Sequence, residues 1–272
     1  MAQDTWIKVE NLTWQPQKSK SPILDQVSAC FAPGVFTVLL GPNGAGKTSL
    51  LRHILAFIRP QSGQIFIGDK DLQTFSRRDL ASQIAYLPQS SRSAYELKAL
   101  EVIKMARFSY IPPFGQPGPQ DKAAVDEAVA RTGCEGLLYK NFAQLSGGEK
   151  QRVLCARAIA QESRFILLDE PVSNLDLKYQ HTILTALKAL VADKGVGIIC
   201  VMHDINLSQQ YADQAVLLQK GRLVAQGSRH EILEPDLLSE VYGWPLDLVQ
   251  DGQGQAFFVS RAPSPSLAGR PQ

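Results

Sequence analysis

Apolar residues follow two spacings along the chain, and these predict buried strands and amphipathic helices. Three β-branched or leucine-rich runs have the length of a strand buried on both faces: Val35–Leu40, Phe165–Leu168 and Val196–Met202. Three other segments repeat apolar residues every three or four positions: Ser49–Ile58, Glu149–Ala160 and Leu177–Ala192. Buried strands that alternate with helices predict an α/β fold with a parallel sheet.

Two regions depart from this core pattern. Three short β-type segments predict an antiparallel sheet beside the core: Trp6–Trp14, Ile23–Phe31 and Gln64–Ile67. Two helical segments lie between Gln89 and Leu145, namely Leu97–Phe108 and Ala123–Arg131. The proline-rich stretch between them, residues 111–119, is incompatible with a helix interior, so a separate helical subdomain is predicted.

The last third of the chain ends in further strands. Lys220-Gly221-Arg222 predicts a hairpin turn between strands at Ala215–Gln219 and Leu223–Ala225. From Arg261 onward proline, serine and glycine dominate, and we expect a mobile tail.

Composition narrows the class of protein. The net charge of +2 argues neither for nor against a nucleic-acid partner. A chain of 272 residues with 44% hydrophobic content favours one compact unit with subdomains. Four scattered cysteines, without a C-x-x-C pair, are typical of a reduced, cytosolic protein: Cys30, Cys134, Cys155 and Cys200. No apolar run approaches 18 residues and the N-terminus lacks a secretory signal. Any role at a membrane is therefore expected to depend on a partner.

Residues 41–48 carry the clearest chemical signal. The segment Gly41-Pro42-Asn43-Gly44-Ala45-Gly46-Lys47-Thr48 fits G-x-x-x-x-G-K-[ST] between a predicted strand and a helix that opens near Ser49. Its glycines allow backbone N–H groups to surround an anion at the positive end of that helix. Lys47 brings a full charge to the outer phosphates, and the Thr48 hydroxyl can ligate Mg²⁺.

Two acids end the second buried strand. Asp169, at the strand end, can hold Mg²⁺ directly or through water. Glu170 can polarise an attacking water. The alternative is that both acids only cap the end of a strand.

Leu145-Ser146-Gly147-Gly148-Glu149 opens another helix and forms a second candidate anion site. The structural alternative is an N-cap serine followed by two permissive glycines. His203 also follows a buried strand and could bond to a γ-phosphate, although a histidine there is usually structural. Gln89, in a loop after a short strand, is by itself unremarkable.

Together these motifs resemble the ATP-binding cassette (ABC) ATPases over about residues 6–243. Gly41–Thr48 resembles the Walker A loop, Phe165–Glu170 resembles Walker B, and Leu145–Glu149 is similar to the family signature. Gln89 resembles the glutamine that contacts Mg²⁺ and water, Asp176 lies in a segment similar to the D-loop, and His203 resembles the switch histidine. Trp14 stands where the family carries an aromatic residue, usually Tyr, that stacks on adenine; a core tryptophan is the alternative.

The resemblance implies a P-loop NTPase fold in four parts. Residues 1–88 would form the antiparallel β subdomain and the phosphate-loop part of a RecA-like core. Residues 89–145 would form the helical subdomain. Residues 146–243 would complete the core with the signature helix, Walker B and the switch histidine. Residues 244–272 would form C-terminal strands and the tail.

The resemblance also implies a dimer that binds ATP and Mg²⁺. Two cassettes pack head to tail, and each ATP is held between Walker A of one chain and the signature of the other. ATP binding closes the pair and hydrolysis reopens it, which moves a transmembrane permease. The expected position is the cytoplasmic face of the inner membrane, with a substrate-binding protein linked only through the permease.

Several stretches are similar to the ATPases of importers for iron–siderophores, haem and vitamin B12. They are Ile84–Gln89, Glu101–Tyr110, His203–Leu207, Tyr211–Leu218 and Val241–Gly243. The expected function is therefore an iron-chelate importer motor, with vitamin B12 import as the alternative. For an importer motor no nucleic-acid partner is expected; a soluble ABC ATPase acting on nucleic acid or ribosomes is the alternative of another class. A P-loop kinase would leave the signature unexplained.

Overall fold

A computed structural model describes residues 5–17, 19–89, 96–112 and 114–261. The tail after Arg261, for which we predicted mobility, lies outside the described residues, as does the segment 90–95 that follows Gln89.

A six-stranded sheet forms the centre of the molecule. Its strands, in spatial order, are β10 (Arg222–Ser228), β9 (Gln214–Gln219), β3 (Phe36–Leu40), β8 (Gly197–Val201), β7 (Phe165–Asp169) and β6 (Ile84–Leu87). All neighbours from β9 to β6 pair in parallel, and only β10 is antiparallel. Every residue of β3, β7 and β8 is buried, which explains their uninterrupted apolar sequences.

A second, antiparallel sheet covers one side of this core. Its order is β2 (Leu24–Phe31), β1 (Ile7–Trp14), β4 (Ser62–Ile67) and β5 (Lys70–Asp71). Buried and exposed residues alternate along much of β1 and β2 because only one face is packed. That face forms a hydrophobic cluster with α1 (Lys47–Ile54), which the phosphate-loop motif opens.

The helices complete the α/β architecture that the sequence predicts. After α1 they are α2 (Arg77–Gln83), α3 (Ala99–Lys104), α4 (Pro119–Thr132), α5 (Gly147–Ala160), α6 (Leu177–Lys194), α7 (Ile205–Tyr211), α8 (Arg229–Ile232) and α9 (Pro235–Tyr242). The predicted helix at Leu97–Phe108 is shorter, since a 3₁₀ turn at Met105–Arg107 follows α3. Within the described ranges, no helix is both long and apolar enough to cross a membrane.

The region between β6 and β7 is helical and packs around α5. Helices α3 and α4 both contact α5 in a cluster continuous with the main core. Buried Arg107 holds this region together, because it pairs with Asp121 at 2.9 Å and with Glu162 at 2.9 Å and donates to the Ala160 carbonyl. One short network thus joins three separate segments.

The C-terminal stretch returns to the core. A hairpin of β11 (Leu246–Gln250) and β12 (Ala256–Ser260) packs on α7. The Asn206 amide binds the Phe258 backbone in both directions: its Nδ2 donates to the carbonyl at 3.1 Å, and its Oδ1 accepts from the N–H at 2.6 Å. One side chain therefore ties the hairpin to the helix that follows His203.

Lys220 and Gly221 connect β9 to β10 by the tight turn predicted from the sequence. Both residues have positive φ, 48° and 81°, while Gln219 and Arg222 pair directly. Positive φ at both central positions is the geometry of a type I′ turn, whose twist matches that of the flanking strands.

We expect Gly197→Ala to destabilise the fold by about 1–3 kcal/mol through overpacking. Gly197 begins β8, and an added Cβ would overlap the Phe165 ring and lie 2.8 Å from the Ala32 carbonyl oxygen. Gly136→Ala is the matched control, because a Cβ there meets nothing within 4 Å. Urea unfolding of both variants measures the difference, and equal midpoints would contradict this account of the packing.

Candidate nucleotide-binding site

Four chain segments meet at one edge of the central sheet. The phosphate loop follows β3, His203 follows β8 by two residues, Asp169 ends β7, and Gln89 lies two residues beyond β6. These strands are parallel neighbours in the order β3, β8, β7, β6, so their carboxyl ends lie side by side. Ligands of open α/β sheets bind at this end of the strands.

The phosphate loop, residues 41–48, is held in shape by close backbone contacts. Gly41 has φ 138°, and a Cβ there would overlap the carbonyl oxygen of Leu218 on β9. Gly46 has φ 102°, and its Cβ would lie 2.8 Å from the Ile23 carbonyl oxygen. Only glycine fits either position, so these two residues serve the geometry of the loop.

Lys47 is the charged residue of this loop, and it is 6% exposed. Its Nζ donates to the carbonyl oxygens of Gly41 at 2.6 Å and Pro42 at 3.0 Å, so the ammonium lies inside the loop. Burial lowers the pKa of Lys47, and the nearby charges of Glu170 and Asp169 act against that shift. A phosphate in the loop would supply a much stronger partner than two neutral carbonyls.

Thr48 and Asp169 lie in contact, although they are far apart in sequence. The Thr48 hydroxyl donates to Asp169 Oδ1 at 3.2 Å, and Asp169 is 1% exposed. Burial raises the pKa of Asp169, and the Thr48 hydrogen bond partly offsets that rise. A cation here would stabilise the buried carboxylate.

The oxygens of Thr48 and Asp169 suit a hard cation such as Mg²⁺. In the part of the chain that the structure describes, no group of three or more His, Cys, Asp or Glu residues could hold a metal ion. Such a pair fits Mg²⁺, which is commonly bound by one or two protein oxygens together with substrate phosphates and water. Gln89 is exposed, two residues beyond β6, at the end of the described range 19–89.

Glu170 and His203 form the polar pair of the site. His203 Nε2 lies 2.7 Å from Glu170 Oε1, and because an ionised carboxylate only accepts, Nε2 is the donor. Glu170 has φ 54°, an uncommon left-handed conformation for a residue with a side chain. Three contacts hold it: its N–H donates to the Val201 carbonyl, while its own carbonyl accepts from Ser173 Oγ and from Gln151 Nε2.

Trp14 ends β1 and is half-buried against the cluster that includes α1. Its ring packs on His53 in a T-shaped arrangement, with ring centroids 5.3 Å apart. The imidazole is itself fixed, because its Nδ1 lies 2.7 Å from the Ser49 carbonyl oxygen in the first turn of α1. Trp14 therefore packs beside the helix that the phosphate loop opens.

The signature segment begins α5 with a capping box. Ser146 Oγ accepts from the Glu149 N–H at 3.2 Å, and the Glu149 carboxylate accepts from the Ser146 N–H at 2.9 Å. That amide, together with Lys140, lowers the pKa of Glu149 to about 2. Ser146 and Gly147 are exposed, so this helix start faces away from the chain's own core.

Gly148 packs the signature against the segment after Glu170, which leads to Asp176 at the start of α6. Asp176 caps α6, since its Oδ1 accepts from the Tyr179 N–H at 3.1 Å. A Cβ at Gly148 would lie only 3.1 Å from the Asn174 carbonyl oxygen. The signature helix therefore starts directly against the loop that contains Asp176.

Two residues at the site were not predicted from the sequence. Gln151, 5% exposed, bonds to the Glu170 carbonyl at 3.4 Å. Tyr242 accepts a hydrogen bond from the Gly41 N–H at 3.1 Å. The position of Gln151, two residues after the signature, is a signal that could have identified it. Nothing in the sequence around Tyr242 indicates a contact with a loop 201 residues away.

Comparison with known proteins identifies the family of the chain. The profile of the ABC transporter family matches residues 24–173. The hemin import ATP-binding protein HmuV of Bordetella pertussis is 38% identical over 252 residues, covering 89% of this chain and 94% of that protein. HmuV of Escherichia coli O157:H7 is 34% identical, with 90% and 95% covered.

Solved structures agree in fold. A chain described as a metal-chelate type ABC transporter in an inward-facing conformation superposes with a TM-score of 0.81 at 28% identity, covering 95% of this chain and 98% of that one. The dimeric structure of MJ0796, a bacterial ABC transporter cassette, gives 0.74 at 26% identity, covering 82% and 98%. The predicted fold class is confirmed, and the chain belongs to the ABC transporter family of ATP-binding proteins, as an ATPase of that family.

Proposed function

We propose that the chain is the ATP-hydrolysing motor of an importer for iron chelates, with haem as the favoured cargo. The observation that carries the motor function is the convergence of the phosphate loop, Asp169 and the Glu170–His203 pair at one sheet edge. The cargo class is inferred from the HmuV relatives at 34–38% identity and from the metal-chelate type transporter structure.

In this proposal the loop from Gly41 to Ser49 holds the phosphates of ATP. Backbone N–H groups and the start of α1 surround the anion. Lys47 moves from the carbonyls of Gly41 and Pro42 to the outer phosphates, which relieves a buried cation of its weak partners. Trp14 lies against the same helix, and we assign it the contact with adenine.

Thr48, Asp169 and Gln89 are assigned to Mg²⁺. When bound, the ion neutralises charge on the phosphates. The Thr48–Asp169 contact already brings two of these oxygens together. Gln89 lies two residues beyond the neighbouring strand β6, and we assign it the contact with the ion or its water.

Glu170 is assigned as the general base and His203 as its orienting partner. The carboxylate is close enough to His203 to be fixed by one hydrogen bond, with its other oxygen left for a water. The left-handed backbone of Glu170 turns the chain immediately after the buried strand. A base held in this way removes a proton from the water that attacks the terminal phosphate.

The working unit in this proposal is a head-to-tail dimer. Ser146, Gly147, Gly148 and Glu149 form a helix start whose first two residues are exposed, and the loop that contains Asp176 borders it at Gly148. Such a helix start favours an anion. We infer that these residues complete the ATP site of a second copy.

A transmembrane permease is the second proposed partner. Two exposed aromatic side chains support this partner: Phe57, 65% exposed, contacts Tyr86 on β6, and Phe108, 66% exposed, follows the 3₁₀ turn after α3. Arg78 of α2, the helix that precedes β6, donates to the carbonyls of Ser109 and Ile111 just after Phe108 and so links the two regions. A permease docked here would hold the protein at the cytoplasmic face of the inner membrane, with the substrate-binding protein reached only through the permease.

The division into four parts is proposed with this function. Movement of the helical part, residues 89–145, relative to the core would carry the signature toward or away from a partner's nucleotide. The parts 1–88, 146–243 and 244–272 keep the assignments made from the sequence.

Glu170→Gln should retain ATP binding within about threefold but lower turnover by about 10²–10⁴-fold, because the amide keeps the shape and loses the base. ATP should then trap a dimer, visible by gel filtration. Phosphate release and nucleotide titration measure the two effects. Near-wild-type turnover in this variant would remove Glu170 from the assigned role.

Ser146→Arg tests whether the signature acts on a partner. The arginine should block the interface while leaving the variant's own phosphate loop intact, so nucleotide affinity is retained and turnover is lost. Mixing these chains with Glu170→Gln chains should restore part of the turnover, since one of the two shared sites then has a complete base and signature. ATP hydrolysis by a strict monomer would contradict the shared site.

The cargo is tested in the assembled transporter. Purified complex of this chain with its permease, reconstituted in vesicles, should show ATPase activity stimulated by haem delivered on the cognate binding protein. Cobalamin delivered in the same way is the matched comparison. Stimulation by cobalamin and not by haem would overturn the haem assignment and leave the motor function standing.

A further inference from the structure

Tyr242 connects the C-terminal helix α9 to the first residue of the phosphate loop. The Gly41 N–H donates to its hydroxyl at 3.1 Å. The carbonyl of the same glycine accepts from Lys47 Nζ at 2.6 Å. Gly41 is thus held on one side by the end of α9 and on the other by the charged residue of the loop.

Gly41 has no side chain, so only hydrogen bonds to its backbone groups can hold it in place. Its φ of 138° and its close approach to Leu218 exclude any other residue. The residue is buried, so its N–H requires a partner inside the protein. The Tyr242 hydroxyl is that partner.

Tyr242 is itself fixed on three sides. Its ring packs against the main hydrophobic core. The carbonyl of the preceding Val241 accepts from Gln219 Nε2 at 3.0 Å, which ties the end of α9 to β9 beside Leu218. Gly243, with φ 66°, ends the helix immediately afterwards. Burial raises the pKa of Tyr242, so the phenol stays protonated across the neutral range.

We propose that Tyr242 is a positioning residue for nucleotide binding, which fixes the start of the phosphate loop in the conformation that accepts phosphate. When Lys47 leaves the Gly41 carbonyl for a phosphate, the Tyr242 hydroxyl remains as the anchor of Gly41. Without it the loop would have to be ordered by the nucleotide, at a cost in affinity. Tyr242 lies beyond residues 24–173, which match the family profile.

This inference rests on the proposed nucleotide site, so the experiments test both the site and the role of Tyr242. Tyr242→Phe keeps the ring and removes the hydroxyl. The dissociation constant for ATP should rise on the order of tenfold, as expected for a buried N–H left without its partner. Turnover at saturating ATP should stay within about twofold, since Glu170 and His203 are untouched.

Tyr110→Phe is the matched control. It also removes a tyrosine hydroxyl that bonds within the chain, here to the Glu162 carbonyl at 3.3 Å, but it lies away from the phosphate loop. Its ATP affinity and its turnover should both equal those of the wild type. Hydrogen exchange of the peptide that spans Phe36–Gly46 should quicken in Tyr242→Phe and not in the control.

Lys47→Ala distinguishes failure of the Tyr242 role from failure of the proposed nucleotide site. If Lys47→Ala loses nucleotide affinity while Tyr242→Phe keeps it within twofold, the positioning role of Tyr242 is wrong and the site stands. If Lys47→Ala also binds ATP normally, the proposed site is wrong. A parallel fall in turnover and affinity in Tyr242→Phe, with a lowered melting temperature, would indicate a merely structural role and would also overturn the inference.

Discussion

Parallel pairing of β3, β8, β7 and β6 is the constraint on which the rest of this structure depends. In a parallel sheet the carboxyl ends of neighbouring strands lie at the same edge, so whatever follows each strand is brought together. Here those residues are the phosphate loop, His203, Asp169 with Glu170, and Gln89. A different strand order would leave every local motif intact but would move these residues apart.

This edge holds two ionisable side chains that are buried in the protein. Lys47 and Asp169 are both nearly inaccessible to solvent. Burial lowers the pKa of Lys47 and raises the pKa of Asp169, so in each case it favours the neutral form. Buried ionised groups are unfavourable unless they are paired and hydrogen-bonded. In the proposed site a metal–phosphate ligand would offer an anion to Lys47 and a cation to Asp169. The burial that costs folding energy would then favour binding of that ligand.

The scaffold around the site is built from contacts between distant segments. Arg107 joins the helical part to the end of α5, Asn206 joins the C-terminal hairpin to α7, and Tyr242 joins α9 to the phosphate loop. Each contact pairs a side chain with the backbone or with an acid of another element. Such contacts fix how elements lie against each other, whereas apolar packing alone tolerates small shifts.

The sequence by itself determined those features whose physics is local. Apolar runs predicted β3, β7 and β8, the glycine pattern predicted the phosphate loop, and Lys220-Gly221-Arg222 predicted the hairpin turn, which the structure shows to be of type I′. Only the tertiary structure decided that His203 meets Glu170, that Trp14 meets His53, and that Tyr242 reaches Gly41. Strand periods and turn geometry depend on a few neighbouring residues. Contacts across 33 to 201 positions depend on strand order and on the packing of whole elements, which no local pattern encodes.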